Sequence, residues 1–384
     1  MLEGTNVALG VTGSVAAVTV VELAHELRRQ GAAVRAVMTE SARSIVHPWA
    51  VEFATENPVV TDITGSVEHV ELGGREGWAD VFLIAPATAN TVGKMAAAID
   101  DTPVTTTATT ALGADVPVVV APAMHEPMYD HPGVLEAIET VKDWGVDFVD
   151  PRIEEGKAKI ASEEAIVLAT ARAAGETPLA GKRVVVTSGA TAEPIDPVRV
   201  LTNRASGKTG RAIAKACYAL GADVVLVHDD GNVPYASAHD VTTAAEMLEA
   251  VLDEIDDADA LVSAAAISDY TVQAASAKLR SGQDLTLDLE ATPKLLDTVR
   301  DRRSDLPMVG FKAETGEDES MLEHARELRS RVDLSFVVAN DADVMGETST
   351  RAYVVREEDQ QLFEGSKSAL GLRVATELAA ELDR

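Results

Sequence analysis

Apolar and polar positions along this chain follow two rhythms. Residues 6–40, "NVALGVTGSVAAVTVVELAHELRRQGAAVRAVMTE", open with Val7, Leu9 and Val11, the start of a strand. After a Gly turn, Val18, Val21, Ala24 and Leu27 recur at every third position and predict one apolar stripe of a helix. A Gly break at 31 and the run "AAVRAVM" give a second strand. Strand, helix and strand form a βαβ unit, which implies a parallel sheet. "ADVFLIAPATAN" (79–90) and "VPVVVAPAM" (116–124) are continuous apolar strands ending in proline-bearing loops. Parallel strands buried on both faces have this character, and ligands gather at their carboxyl ends.

The rhythm restarts after a helix near 163–174 and the small, polar, proline-bearing linker "GETPLAGK" (175–182). "KRVVVTSGAT" (182–191) is again a strand running into a Gly turn. "SGKTGRAIAKACYALGADVVLVHDD" (206–230) is again helix, glycine and strand. "ALVSAAAISDY" (260–270), "PMVGFKAET" (307–315) and "LSFVVANDAD" (334–343) supply further strand ends. The expectation is an α/β protein of two doubly wound, Rossmann-like domains, 1–175 and 181–384. The halves share an architecture without a regular repeat, which excludes a solenoid.

The 384 residues are 46% hydrophobic, enough for two cores. No apolar run reaches the roughly 18 residues of a membrane span. "MLEGTNVALGVTG" lacks a basic leader, so no secretory signal is expected. The single cysteine, Cys217, cannot form an internal disulfide or a Cys-based metal cluster, and fits a reducing cytoplasm. It lies in the apolar helix "AIAKACYALG", a core position.

Acidic residues number 63 against 33 basic ones, a net charge of −30. The acids are spread over both halves. This charge disfavours nucleic acid and anionic membranes as partners. A nucleic-acid mimic and a protein of a very salty cytoplasm are the two explanations. The dominant apolar periodicity favours the second, in which a Debye length of about 3 Å screens the repulsion. Lysine is also scarcer than arginine, as in extreme halophiles.

In "GVTGSVAA" (10–17), Gly13 permits a close backbone approach and Ser14 opens a helix. Alone, it reads equally as an ordinary βα turn or as an anion site. The second strand ends in "VMTESA", where Thr39 and Ser41 offer hydroxyls and no acid awaits a ribose. Thr88, Asn90 and the threonines of "TPVTTTATT" (102–110), Thr105 and Thr106 among them, add neutral donors. These suit the phosphate of a mononucleotide such as FMN. His69, in "SVEHVELGG", is a loop histidine, either solvated or catalytic. In "APAMHEPMY" (121–129) two prolines stiffen a loop that holds His125 between Met124 and Met128. In "NRASGKTG" (203–210), Gly207-Lys208-Thr209 resembles the end of a Walker A loop, yet position 202 is Thr202 where that motif needs glycine.

Together, "GVTGSVAA", "EHVELGGREGWAD", "LIAPATANTVGKMA" and "APAMHEPMY" resemble the flavin-dependent cysteine decarboxylases, with their flavodoxin-like fold. "TSGATAEPIDPVRVLTNRASGKTG", "AAAISDY", "GFKAET" and "AND" resemble phosphopantothenate–cysteine ligases. In this order they resemble the bifunctional flavoproteins of coenzyme A biosynthesis, over nearly the whole chain. The resemblance implies ligation of cysteine to 4′-phosphopantothenate with CTP through an acyl-cytidylate. FMN-dependent decarboxylation to 4′-phosphopantetheine then follows, with Mg²⁺ accompanying the triphosphate. It implies trimeric flavin domains, dimeric ligase domains and a cytoplasmic enzyme.

By the same resemblance His69 is the decarboxylase base. His125 stands where the family's asparagine holds the substrate carboxylate, beside Met124 and Met128. Bacterial members carry a proton-donating cysteine on a flap. The corresponding "EEGKAKIAS" (154–162) has none, so either Lys157 or Lys159 donates or the stretch is a solvated loop. In the ligase half, Asn203 contacts the acyl-nucleotide, and Ser206, Gly207 and Lys208 hold phosphate. Ser263, Ala264 and Ala265 lead to the nucleotide-binding Asp269. Lys278 stabilises the transferring phosphate, although the family's K-x-K-K is here Lys278-Leu279-Arg280-Ser281. Phe311 contacts the base, and Thr292, Pro293, Lys294 and Leu295 close the pocket. Two rival readings are a ligase with a catalytically silent FMN-binding domain and a flavoprotein regulatory subunit.

Overall fold

The computed structural model describes residues 1–154, 157–280, 282, 284–314, 318–341 and 349–383, and at 153, 154, 157 and 341 the backbone alone. The Lys157 side chain, Ser281 and Thr315, all named above, lie outside the described part. Contacts divide the chain into two units, Met1–Glu176 and Thr177–Arg384.

In the first unit the elements run β1 (Asn6–Val11), α1 (Val20–Arg29), β2 (Ala33–Met38), α2 (Glu40–Arg43), α3 (Pro48–Thr55), α4 (Glu68–Gly73), β3 (Val81–Ala87), α5 (Ala89–Ala96), α6 (Pro103–Gly113), β4 (Val118–Pro122), β5 (Met124–His125), α7 (Glu126–Tyr129), α8 (Pro132–Asp143), β6 (Asp147–Phe148), β7 (Arg152–Glu154), β8 (Lys157–Lys159) and α9 (Glu163–Ala174). The main sheet is wholly parallel, in the order β2-β1-β3-β4-β6. This is the flavodoxin order, whose switch point lies between β1 and β3. All seven residues of β3 are buried, as its unbroken apolar run predicts. Helices α5, α6 and α8 cover one face through Val92, Val104, Ala108, Ile138 and Val141. Helices α1, α3 and α9 pack together elsewhere on the sheet.

One expectation holds in part: Ala24 and Leu27 of the predicted stripe are buried, whereas Val18 and Val21 are not. Val15–Thr19 form a 3₁₀ turn and leave Val18 59% exposed. The buried stripe of α1 is Val20, Leu23, Ala24 and Leu27. A 3₁₀ turn advances three residues per turn instead of 3.6, so the stripe read from Val18 falls out of phase.

The second unit runs β9 (Arg183–Thr187), β10 (Ala192–Pro194), β11 (Val200–Thr202), α10 (Lys208–Ala219), β12 (Asp223–His228), β13 (Ser237–Asp240), α11 (Ala244–Glu254), β14 (Ala260–Ser263), β15 (Tyr270–Val272), β16 (Leu289–Ala291), α12 (Leu295–Arg302), β17 (Met308–Glu314), α13 (Asp318–Val332), β18 (Phe336–Asp341), β19 (Ser349–Val355), β20 (Gln360–Ser366) and α14 (Lys367–Leu382). Its sheet is ordered β13-β12-β9-β14-β17-β18-β19-β20. The first six strands are parallel and repeat the dinucleotide-fold order, with the switch point between β9 and β14. Strands β19 and β20 extend the sheet antiparallel. Helices α11, α12 and α13 share a core with β9, β12 and β14, while α10 and α14 pack against each other. Gly210 lets α10 lie against β9's exit, since a Cβ there would stand 2.6 Å from that of Ser188. Among the described residues no helix is long and apolar enough to cross a membrane.

Candidate active sites

At the first unit's switch point, the turns after β1 and β3 are tied together. Thr12 Oγ1 donates to Pro86 O at 2.8 Å and accepts from Thr88 N at 3.1 Å. Ser14 Oγ donates to Ala123 O at 3.0 Å, which brings the loop of Met124 and His125 to the same edge. Gly13 is required by its own neighbours, because a Cβ there would meet Ser41 Cβ at 2.5 Å. Ser41 Oγ shares a 3.1 Å hydrogen bond with Thr39 Oγ1, and Thr39 is buried as the N-cap of α2. Thr88 caps α5, and Asn90 is exposed in that helix's first turn. Thr105 and Thr106 are spent inside their own turn. Thr105 forms a capping box with Thr102. Thr106 Oγ1 donates to Asp100 O and Thr102 O at 2.9 and 2.8 Å.

His69 lies on α4, not in a loop. The residue opening that helix, Val67, has φ +50°, a left-handed conformation that strains a β-branched side chain. The Glu68 carboxylate accepts from both Thr64 N and Thr64 Oγ1, and these bonds hold it below the usual carboxylate range. His69 is half-buried, and its Nδ1 is buried without a hydrogen-bond partner among the described residues. Such an orphan marks strain or a functional group.

His125 ends β5, which pairs antiparallel with β8, His125 opposite Lys157 and Met124 opposite Ala158. The candidate flap is thus hydrogen-bonded to the histidine's loop. His47 and His131 cap their helices through Nδ1. His125 precedes α7 without a side-chain cap bond and is exposed, as is Met128. Met124 and Lys159 are half-buried.

The second unit holds a cavity of about 370 Å³ at the β9/β14 switch point. It draws on four stretches of chain that the sequence singled out. Ser206, Gly207 and Lys208 come from the start of α10; Ser263, Ala264 and Ala265 from the end of β14. Asp269 follows, then Thr292, Pro293, Lys294 and Leu295, and Phe311 from β17. Gly207 caps α10 with φ +67°, and its carbonyl accepts from Ser188 Oγ at 2.8 Å. Lys294 pairs with Asp269 at 2.5 Å. Asn203 stands beside the cavity, donating from Nδ2 to Ala266 O at 2.8 Å.

Lys278 is exposed and is not among the lining residues. Its segment is anchored through the next residue. The Leu279 amide donates to the buried Asp196, and Arg199 donates to Leu279 O. Burial pushes the Asp196 carboxyl up, but the amides of Val198, Leu279 and Arg199 and the Arg199 charge outweigh it and hold the group low. Lys312, Arg331, Asn340 and Lys367 also line the cavity and were not singled out. Lys312 stood unremarked inside "GFKAET" and Asn340 inside "AND". Arg331 and Lys367 come from α13 and α14, with no local motif to mark them.

A flavoprotein family matches residues 1–175, and the DNA/pantothenate metabolism flavoprotein C-terminal domain matches residues 179–382. A bifunctional coenzyme A biosynthesis protein, CoaBC, of Thermococcus kodakarensis is 50% identical over 361 residues, 92% of this chain and 89% of that protein. This chain belongs to the CoaBC family. The CoaBC of Methanocaldococcus jannaschii is 35% identical over 97% of this chain and 93% of its own length. That of Bacillus subtilis is 37% identical over 90% and 88%. Like other CoaBC proteins, this one is a bifunctional coenzyme A biosynthesis enzyme, with a decarboxylase and a ligase domain.

The lone thiol of this CoaBC protein, Cys217, is fully buried on α10, and burial pushes its pKa up to about 12. A thiolate is the reactive form. The native enzyme, treated with iodoacetamide at pH 8 and freed of it, is therefore expected to keep both activities, with mass spectrometry showing Cys217 unmodified. Alkylation of the native protein would show that α10 opens.

Proposed function

We propose that the first unit holds FMN at the β1/β3 switch point and there decarboxylates 4′-phosphopantothenoylcysteine. In the second unit, the β9/β14 cavity joins cysteine to 4′-phosphopantothenate with CTP and Mg²⁺. The observation that carries this reading is that cavity, which gathers the ligase-like motifs of four separate stretches around one space.

The residues at the first edge fit a flavin phosphate. Ser14, Ser41, Thr88 and Asn90 are neutral donors near the carboxyl ends of β1, β2 and β3, where helix N-termini add backbone amides. Thr105 and Thr106 belong to the same set; their hydroxyls are held within their own turn, as those of Ser14, Ser41 and Thr88 are held by Ala123 O, Thr39 and Thr91. When bound, the flavin accepts two electrons from the cysteine side chain and returns them to the decarboxylated product. His69 takes the thiol proton. The imidazole of His125, committed to no cap, donates an N–H to the substrate carboxylate. Lys159, on the strand paired with β5, or Lys157 on the same strand, supplies the last proton.

In the ligase, a carboxylate oxygen of 4′-phosphopantothenate attacks the α-phosphorus of CTP and pyrophosphate leaves. The cysteine amine then attacks the acyl carbon and CMP leaves. Ser206, Gly207, Lys208 and the α10 N-terminus meet the phosphates. Asn203 orients the acyl-nucleotide, and Lys278 approaches from its anchored arm. Asp269 and Asp297 are the carboxylates among the described lining residues, each paired with a lining cation, Lys294 and Arg331, which a triphosphate-bound Mg²⁺ would have to replace. Trimeric flavin domains and dimeric ligase domains are the proposed assembly, in the cytoplasm.

The test is direct. Purified enzyme is expected to show a flavin absorbance. Supplied with 4′-phosphopantothenate, cysteine, CTP and Mg²⁺, it is expected to release pyrophosphate and CO₂ in equal amounts and form 4′-phosphopantetheine. Pyrophosphate without CO₂ would leave the first unit a binding domain only.

A further inference from the structure

The hairpin of β10 and β11 carries two buried carboxylates outside the cavity lining, Glu193 and Asp196. Glu193 accepts from the Ala244 amide and from Thr271 Oγ1, each at 2.8 Å. Asp196 divides its two oxygens. Oδ1 accepts from the amides of Val198 and Arg199 at 2.8 and 2.9 Å, closing the turn that contains Pro197. Oδ2 is left for the Leu279 amide at 3.0 Å and for Arg199 Nη1 at 3.1 Å. Both oxygens face donors, so this position needs a carboxylate. An amide would present one acceptor oxygen and set its own N–H groups against donors.

These bonds fasten a second stretch of chain to the hairpin. Residues 271–279 are held by Thr271 on Glu193, by the Ala275 amide on Ile195 O at 2.9 Å, and by Leu279 on Asp196. At Leu279 both peptide groups are engaged, since its carbonyl also accepts from Arg199 Nη2 at 2.9 Å. Fixing that residue's backbone removes much of the conformational freedom of an irregular segment. Its neighbour is Lys278, which is exposed and whose side chain has no hydrogen-bond or ion-pair partner among the described residues. The backbone anchor, not a side-chain contact, therefore sets where the Lys278 ammonium can go. The same hairpin leads into Asn203, whose Nδ2 is tied to Ala266 O beside the cavity.

We propose that Asp196 is a positioning residue for ligation, acting through Leu279 to hold Lys278 toward the transferring phosphate. This rests on the reading of Lys278 as the lysine beside that phosphate. Asp196 itself touches no reactant, since its side chain is wholly buried. Losing its bond to Leu279 leaves the ammonium present but misplaced. A group that acts on the transition state alone appears in kcat, so the loss falls on turnover and not on the binding of CTP.

The experiment is a double-mutant cycle on the full chain: wild type, Asp196→Asn, Lys278→Gln and the double variant. Each is read as kcat and KM for CTP in pyrophosphate release with 4′-phosphopantothenate and cysteine present. Asp196→Asn keeps the turn through its one amide oxygen and drops Leu279. It is expected to lower kcat about 10- to 100-fold, the range for a lost hydrogen bond to a charged group, with KM for CTP nearly unchanged. In the Lys278→Gln background the same change is expected to cost nothing further, because the group it positions is already gone. Equal losses in both backgrounds mark a carboxylate that only supports the fold, and overturn the proposal. So does an unchanged kcat in Asp196→Asn, or a raised KM with kcat intact. Unimpaired ligation by Lys278→Gln alone is the separate failure of the Lys278 reading, and removes the proposal with it. If thermal unfolding shows that Asp196→Asn does not fold, Asp196→Ser takes its place in the cycle, its single hydroxyl oxygen serving the turn alone.

Discussion

Asparagine in place of His69 is expected to lower CO₂ release from 4′-phosphopantothenoylcysteine by about 10²- to 10⁴-fold, the usual range for a lost general base. Flavin content and ligase activity are expected to stay at the wild-type level. The histidine is held by a strained entry, Val67 at φ +50°, and by Glu68 locked onto Thr64. Its buried Nδ1 has no partner among the described residues. His47 and His131, by contrast, use that nitrogen to cap their helices, while the buried His228 shares the unpartnered Nδ1. Asparagine keeps a hydrogen-bonding side chain but cannot accept a proton near neutral pH. The measurement is CO₂ released per flavin, with the flavin spectrum recorded on the same sample. Undiminished CO₂ release would remove His69 from the mechanism. Loss of flavin together with activity would make the residue a binding group instead.

The same site shows what sequence reading reaches and where it stops. The sheets were legible because parallel strands buried on both faces leave unbroken apolar runs, such as β3. Their order was not, since the flavodoxin and dinucleotide orders differ only in how crossovers are placed. The α1 stripe held at Ala24 and Leu27 and failed at Val18, because a 3₁₀ turn ahead of the helix has a different period. His69 read as a loop residue, since "SVEHVELGG" carries too short an apolar pattern to announce a helix of six residues. The hydroxyl bonds of Thr105 and Thr106 within their own turn were not legible, since they depend on a geometry that composition does not encode. Across the ligase cavity, the lining residues not singled out include Lys312 and Asn340, inside motifs read for other residues, and the isolated cations Arg331 and Lys367. Arg331 and Lys367 reach the cavity only because α13 and α14 return to it from far along the chain.

Aspartate in place of Asn203 is expected to lower ligation at least 100-fold while decarboxylation of added 4′-phosphopantothenoylcysteine continues unchanged. Asn203 Nδ2 donates to Ala266 O, and Ala266 N donates to Gly189 O. The "NRASGKTG" loop, the end of β14 and the turn after β9 are thereby fastened to one another on the edge of the cavity. A carboxylate cannot donate to Ala266 O. It sets an anion against a carbonyl oxygen and adds negative charge where phosphates are to bind. The loss thus combines a broken loop contact with electrostatic repulsion, each worth roughly 1–3 kcal/mol. Asn203→Ala separates the two, since it removes the donor without adding charge, and a smaller loss of about tenfold is expected. Because nucleotide activation precedes attack by cysteine, acyl-cytidylate is expected to accumulate in the alanine variant and to be visible by mass spectrometry after quenching. Equal loss of both activities in a protein with native unfolding behaviour would contradict the division of labour between the two units. Full ligation in Asn203→Asp would show that the hydrogen bond to Ala266 is structural and dispensable.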